Sequence, residues 1–198
     1  MQTPSHFLVT ALMAYKAPAQ RIPMAKGALL IGSVLPDIPF TLLTLGGEIY
    51  YRWFGQLPVS GSIMAYLHFT LFYTDPVWII SHNFFHSLVI NAVFIAVGYY
   101  GWRKRTRWGA PLFWLAVSMV FHTLIDIFTH NSDGPLFLLP LHWTYRFASP
   151  ISYWESENYG RIFMTLEYTL DALILIYFAF AWWRRRAHQV EEELMHHD

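Results

Sequence analysis

Residues Gly109 to Phe128 read Gly-Ala-Pro-Leu-Phe-Trp-Leu-Ala-Val-Ser-Met-Val-Phe-His122-Thr-Leu-Ile-Asp126-Ile-Phe. At about 1.5 Å per residue the stretch is long enough to cross roughly 30 Å of hydrocarbon. It nevertheless carries a histidine and, one helical turn later, an aspartate. Ionisable groups at membrane depth are expensive and mark functional sites by default.

Three further stretches are long enough to span: Met24 to Leu45, Phe84 to Trp102 and Phe163 to Trp183. With 55% apolar, 19% aromatic and only 13% charged residues, the chain lies far from an ordinary soluble domain. The expected fold is all-α, a polytopic membrane helical bundle of about four spanning helices plus a short N-terminal half-depth helix. The alternative, core helices of a soluble all-α protein, is opposed by Trp102, Trp108, Trp182 and Trp183, which stand at the ends of the runs where aromatic belts belong.

Net charge is zero, and no nucleic-acid partner is expected. The basic residues are far from evenly spread. Lys16, Arg21 and Lys26 precede the first span, Arg103, Lys104, Arg105 and Arg107 fill the turn between the second and third, and Arg184 to Arg186 close the fourth. The excess places these ends in the cytoplasm and the connections 46–83 and 129–162 outside. The expected location is a bacterial inner membrane, with the site toward the outer face, the C-terminus cytoplasmic and membrane lipids as partners.

No cleavable signal peptide is expected at the start. Thr3-Pro4-Ser5 opens a short helix from His6 to Ala17 that ends at the basic side. No cysteine is present, which excludes thiolate metal sites, disulfides and cysteine nucleophiles. One membrane-embedded domain, 1–186, is expected, followed by a charged, solvated and poorly ordered tail, 187–198, in which His188, His196 and His197 are surface residues.

Helical rise converts distance from each basic cluster into height. His6 lies ten residues from Lys16, Asp37 eleven from Lys26, His86 seventeen from Arg103, and His122 and Asp126 fifteen and nineteen from Arg107. All five then sit roughly 15 to 28 Å up, at one level. Pro36 and Pro39 must interrupt the helix around Asp37, and broken helices at that depth are tolerated only where they are buried in protein or line a cavity. Residues four apart share a helix face, so His122, Asp126 and His130 form one row and His82 with His86 a second. Imidazole with carboxylate suits zinc, and also manganese or ferrous iron. One or two divalent ions are expected on His6, Asp37, His82, His86, His122, Asp126 and His130. His68 reads as a packing histidine, and His142 and Glu155 as weak candidates. Glu167 and Asp171, paired in the last span, could orient ligands, pack helices or supply a base.

The ordered set His6, Leu35-Pro36-Asp37, His82-Asn-Phe-Phe-His86-Ser87-Leu88, Phe121-His122-Thr-Leu-Ile-Asp126 and Gly134-Pro-Leu-Phe-Leu-Leu-Pro140 resembles the YdjM-like family of inner-membrane metal-dependent hydrolases. The likeness runs from His6 to about Pro140. It implies a small helical membrane protein with a catalytic metal site carried by His6, Asp37, His82, His86, His122 and Asp126. One departure stands out: the family pattern places the first histidine of the central motif five residues before the second and follows it with Arg-Gly, whereas here the spacing is four and Asn83-Phe84 follow. The order of ligands is also similar, more distantly, to that of zinc-dependent phospholipases C.

The expected chemistry is hydrolysis by metal-activated water on an ester or phosphoester, lipid-linked or amphipathic because of the site's depth, with Glu167 or Asp171 available as a base. A metal-binding transporter or sensor would use the same ligands at the same depth. A b-type haem protein would use His86 and His122 as axial ligands but leave the aspartates without a role.

Overall fold

The computed structural model describes residues 1–17, 24–58 and 60–195, with the helix beyond Gln189 described by its backbone alone. Among the described residues there are helices and no strands. In chain order they are α1 (Thr3–Lys16), α2 (Lys26–Gly32), α3 (Ile38–Trp53), α4 (Ile63–Tyr66), a π-helical turn (Leu67–Leu71), α5 (Phe72–Thr74), α6 (Pro76–Asn83), α7 (Leu88–Arg103), α8 (Gly109–Thr129), a 3-10 turn (Ser156–Asn158) and α9 (Gly160–Met195).

Two of these helices, α8 and the Gly160–Gln189 part of α9, are long and apolar enough to cross a membrane, and α6 with α7 makes a third if the pair, bent by 48°, counts as one span. This is fewer than the four expected. The missing one is Met24 to Leu45, which does not form a single helix. Pro36 and Pro39 withhold backbone donors, so the chain leaves the helix at Ser33 and resumes at Ile38 as α3. The expected span from Phe84 is likewise broken: residues 84–87 are non-helical, and Ser87 restarts the chain as N-cap of α7, accepting from the Ile90 amide at 3.1 Å.

α7 and α8 form a hairpin closed at the basic turn, where Arg105 takes a left-handed conformation (φ 57°) and Thr106 N–H donates to the Gly101 carbonyl at 3.0 Å. Small residues let the helices approach, as is usual in membranes. A Cβ on Gly98 would stand 2.5 Å from the Phe113 backbone, and one on Gly32 would stand 2.3 Å from the Leu115 carbonyl, where α2 crosses α8.

α1 lies parallel to α9. The Gln2 amide donates to Glu167 Oε1 at 2.7 Å, Ser5 Oγ donates to Asp171 Oδ2 at 2.7 Å, and further along Tyr15 meets Tyr177 and Phe178 edge-on. Lys16 then sits over the Tyr177 ring and Arg185 over Tyr15, so the basic ends of both helices come together. The face of α1 turned inward is polar: Ser5, His6 and Thr10 are buried there. α9 does not stop at Arg186. Its 36 residues reach about 54 Å at 1.5 Å each, so the expected poorly ordered tail continues the last helix as far as Met195. His196 and His197 lie outside the described residues.

Candidate metal centre

The two helix breaks build the site together, each delivering one side chain and one backbone carbonyl. The first break presents Asp37 and the Ser33 carbonyl. The second presents His86 and, from the last turn of α6, the His82 carbonyl. α8 supplies His122 and Asp126 from one face.

His122 Nδ1 lies 2.8 Å from the Ser33 carbonyl, and His86 Nδ1 lies 2.5 Å from the His82 carbonyl. A carbonyl only accepts, so each Nδ1 carries the ring proton and donates. The Nε2 atoms of both rings then point inward, 3.2 Å apart, where each offers a lone pair once it carries no proton. Asp37 Oδ1 lies 3.5 Å from His86 Nε2 and 3.4 Å from His122 Nε2, while Asp126 Oδ2 lies 3.4 and 2.9 Å from the same two atoms. Four acceptors therefore converge on one point, in surroundings that leave His86 and His122 almost wholly buried. Such an arrangement calls for positive charge at its centre, from protons on the imidazoles or from a metal ion.

The spacing fits a metal. A tetrahedral ion with bonds of about 2.0–2.1 Å sets its ligand atoms roughly 3.3–3.4 Å apart, and five of the six edges here measure 3.2, 3.5, 3.4, 3.4 and 2.9 Å. The buried cluster of Asp37, His86, His122 and Asp126 could hold a metal ion.

The outer oxygens of both carboxylates are held from α1. Thr3 Oγ1 donates to Asp37 Oδ2 at 2.5 Å, and His6 Nε2 lies 2.9 Å from Asp126 Oδ1. The Met1 nitrogen donates to that same Asp126 oxygen at 3.0 Å and to Thr129 Oγ1 at 2.6 Å. The His6 ring also stacks on His122 with centroids 3.7 Å apart. Partners of this kind fix ligand orientation.

The Gly134 to Pro140 segment supports the second break. The Leu136 amide donates to Asn83 Oδ1 at 2.5 Å, the Leu88 amide donates to the Phe137 carbonyl at 2.9 Å, and Ser87 Oγ donates to the Leu139 carbonyl. One backbone donor freed where the helix stops, the Leu88 amide, is thus paired inside the protein, and the Asn83 and Ser87 side chains tie the break to this segment.

Of the seven residues expected to hold metal, the structure brings four into one group. His6 stands behind Asp126 rather than in the group. His82 stacks flat against His86, centroids 4.7 Å apart, with its Nδ1 3.3 Å from Asn83 Oδ1. His130, the C-cap of α8 (φ −125°), stays beside Asp126 but outside the four-residue group. Its Nδ1 donates to the Asp126 carbonyl at 3.0 Å and lies 3.7 Å from Asp126 Oδ1. Glu167 and Asp171 hold the start of α1, as described above, outside the four-residue group. The His86 and His122 rings face each other across ground flanked by both carboxylates, which leaves no room for a porphyrin plane.

A cavity of about 680 Å³ reaches the cluster from the end where the two long connections lie. Asp37 and Asp126 line it and the two ligand histidines do not, so the edge between the carboxylates is the accessible one. Phe40, Met64, Phe69, Phe72 and Tyr73 make its apolar wall, and no lysine or arginine is among its lining residues. Tyr153, also in the wall, packs its ring 4.6 Å from His130. Burial first, then the charges of Asp133 and Asp126, push the Tyr153 phenol up, so it remains a neutral donor at neutral pH. His68 lines the cavity too, with Nδ1 3.1 Å from the Met64 carbonyl and its ring edge-on to Phe40.

Thr3 and Tyr153 carried no signal in the sequence. In the sequence Thr3 only opens a helix, and no motif contains Tyr153. Only their meeting with distant residues gives them a place in the site.

An all-helical protein with helices able to cross a membrane and a buried two-histidine, two-aspartate cluster belongs to the class of membrane proteins with a candidate metal centre. The chain belongs to the YdjM inner membrane protein family, whose model matches residues 1–192. No curated protein and no solved structure gives a significant match. The likeness to phospholipases C therefore finds no support in these comparisons.

Proposed function

We propose that this chain is a membrane-bound, metal-dependent hydrolase acting on an ester or phosphoester of a lipid-linked substrate. The observation that carries the reading is the convergence of two imidazole lone pairs and two carboxylate oxygens at the floor of a cavity. Asp37, His86, His122 and Asp126 would hold the ion, with zinc the best match to the donor set. When bound, a divalent ion lowers the pKa of its water from 15.7 to about 7 and polarises the bond under attack.

The chain's own residues prepare that chemistry. The Ser33 and His82 carbonyls keep both rings in the tautomer that offers Nε2. Thr3 and His6 fix the carboxylates. The edge between Asp37 and Asp126 opens to the cavity and leaves a side from which water and substrate can approach. Tyr153 supplies a neutral hydrogen-bond donor in the wall. Glu167 and Asp171 act by holding α1 in register. The asymmetry of the basic residues supports a topology with the basic turn and C-terminus in the cytoplasm and the cavity toward the outer face.

Elemental analysis of detergent-purified protein, paired with release assays on ester and phosphoester lipids, tests the proposal. One or two divalent ions per chain and metal-dependent release, both lost in Asp126→Ala, are expected. Metal-free protein that takes up no divalent ion on titration would reject it.

A further inference from the structure

α3 presents an outward face opposite to that of a water-exposed helix. Ile38, Leu42, Leu45, Ile49 and Trp53, spaced three and four apart along its whole length, are 39, 63, 56, 54 and 74% exposed. A helix on an aqueous surface turns polar residues outward. The inner face is already satisfied: Phe40 packs edge-on against Trp78 and Phe72, and Gly47 lies against Leu67 and Trp78.

We propose that α3 lies in the bilayer leaflet nearest the cavity mouth, its outer stripe covered by acyl chains, and that the cavity opens sideways onto those chains and admits a membrane lipid. Three observations select lipid as the occupant. α3 packs on α6, the first leg of the broken span α6–α7, whose own Val77 and Ile80 are exposed, so the stripe continues a face that meets lipid. The far end of the stripe carries Tyr50, Arg52 and Trp53, the residue types that settle at a membrane–water boundary. α3 also begins at Asp37, beside the cluster. Its 16 residues extend about 24 Å at 1.5 Å each, so an α3 projecting straight outward would carry the whole stripe into water.

The stripe is continuous with the cavity rim. Thr41 lines the cavity and lies one helical turn from both Ile38 and Leu45. Across the opening stand Met64 and Phe69, both cavity-lining and 48 and 63% exposed. A lipid entering there lays its tail along Phe69, Met64 and Phe40 and brings its polar end to the Asp37–Asp126 edge. The assignment of substrate class rests on the hydrolase reading. The lipid-facing stripe and the side opening rest on geometry alone.

The chain has no cysteine, so single-cysteine variants report cleanly. Leu45→Cys, Ile49→Cys and Met64→Cys, with Lys104→Cys as the aqueous control, are labelled with an environment-sensitive dye. The full chain is then placed in phosphatidylethanolamine–phosphatidylglycerol vesicles. Nitroxide-labelled lipids should quench the first three several-fold more than the control, and aqueous iodide should do the reverse. Iodide quenching at Leu45 and Ile49 equal to that at Lys104 would overturn the proposal, as would cross-linking of two chains through Leu45→Cys. A phospholipid with a photoreactive acyl chain should cross-link to residues 62–69 of the wild type. Lack of that cross-link despite lipid quenching of the stripe would overturn the side entrance. Cross-linking without hydrolysis of any ester would support the entrance and count against the hydrolase reading alone.

Discussion

Thr3, in the first turn of α1, donates to the Asp37 carboxylate at the start of α3 at 2.5 Å. The same carboxylate reaches both His86 and His122 with its other oxygen. A residue from the start of the chain thus aims a ligand that the first helix break delivers. Thr3→Val keeps the shape of the side chain and removes the hydrogen bond. Loss of such a partner typically costs 10–100-fold in metal affinity. Competition titration of the purified protein should show that weakening in Thr3→Val and near-complete recovery in Thr3→Ser, with α-helical content unchanged in both.

The facing Nε2 atoms of His86 and His122 lead to a second expectation. An ion held there binds the folded chain and not the unfolded one, so metal removal should destabilise the protein as well as silence it. At a free-ion concentration of 100 times Kd the bound state gains about 2.7 kcal/mol, which corresponds to a rise in melting temperature of roughly 5–10 °C for a chain of this size. Thermal unfolding in detergent, before and after chelation and after metal return, checks it. Identical melting curves in all three states would count against a resident ion.

Direct ligands should separate from bystanders. His122→Ala and Asp126→Ala should strip the metal while the protein still inserts. His68→Ala, whose ring contacts Phe40 and the Met64 carbonyl, should leave metal content intact. Full metal content in both of the first two variants would remove His122 and Asp126 from the site.

Glu167 and Asp171 hold Gln2 and Ser5 of α1. If they act only by fixing α1, Glu167→Ala and Asp171→Ala should lower metal occupancy while activity per bound ion stays close to wild type, and Glu167→Gln and Asp171→Asn, which keep an accepting oxygen, should restore occupancy. A catalytic base gives the opposite pattern: full occupancy with turnover down by about 10²–10⁴-fold.

The sequence makes legible those parts of the site that depend on local chemistry. Asp37, His86, His122 and Asp126 stand out because each is an ionisable group in an apolar run, and their common height follows from helical rise alone. His82 and His130 join them in the sequence because each lies four residues from one of them, His82 from His86 and His130 from Asp126. Each does keep the expected face, His82 stacked on His86 and His130 Nδ1 3.7 Å from Asp126 Oδ1, but both stand one layer behind the four converging atoms, a distinction that four-residue spacing cannot express. Pro36 and Pro39 announced a break at Asp37, but not that the following segment would be α3 with an apolar outward face instead of the rest of a span. The role of the Gly134 to Pro140 segment, holding the Asn83 and Ser87 side chains at the second break, depends on contacts across some fifty positions of chain, and periodicity cannot express those.

One-sided access separates hydrolysis from transport. A hydrolase needs one entrance to a site with a coordination position left for water, whereas a transporter exposes the same site to each side in turn. The cavity meets the cluster at Asp37 and Asp126, on the side of the long connections. Toward the basic turn, the way is filled by helices in backbone contact, Gly98 on Phe113 and Gly32 on Leu115. With no native cysteine to interfere, Thr41→Cys at the cavity wall and Ser118→Cys, buried on α8 on the basic side of the cluster, can be probed with a membrane-impermeant thiol reagent. Thr41→Cys should react from the outer face only, with or without metal and lipid ester, and Ser118→Cys from neither face. Reaction of Ser118→Cys from the cytoplasmic face in any of those conditions, or metal-dependent uptake into sealed vesicles, would replace the hydrolase with a transporter.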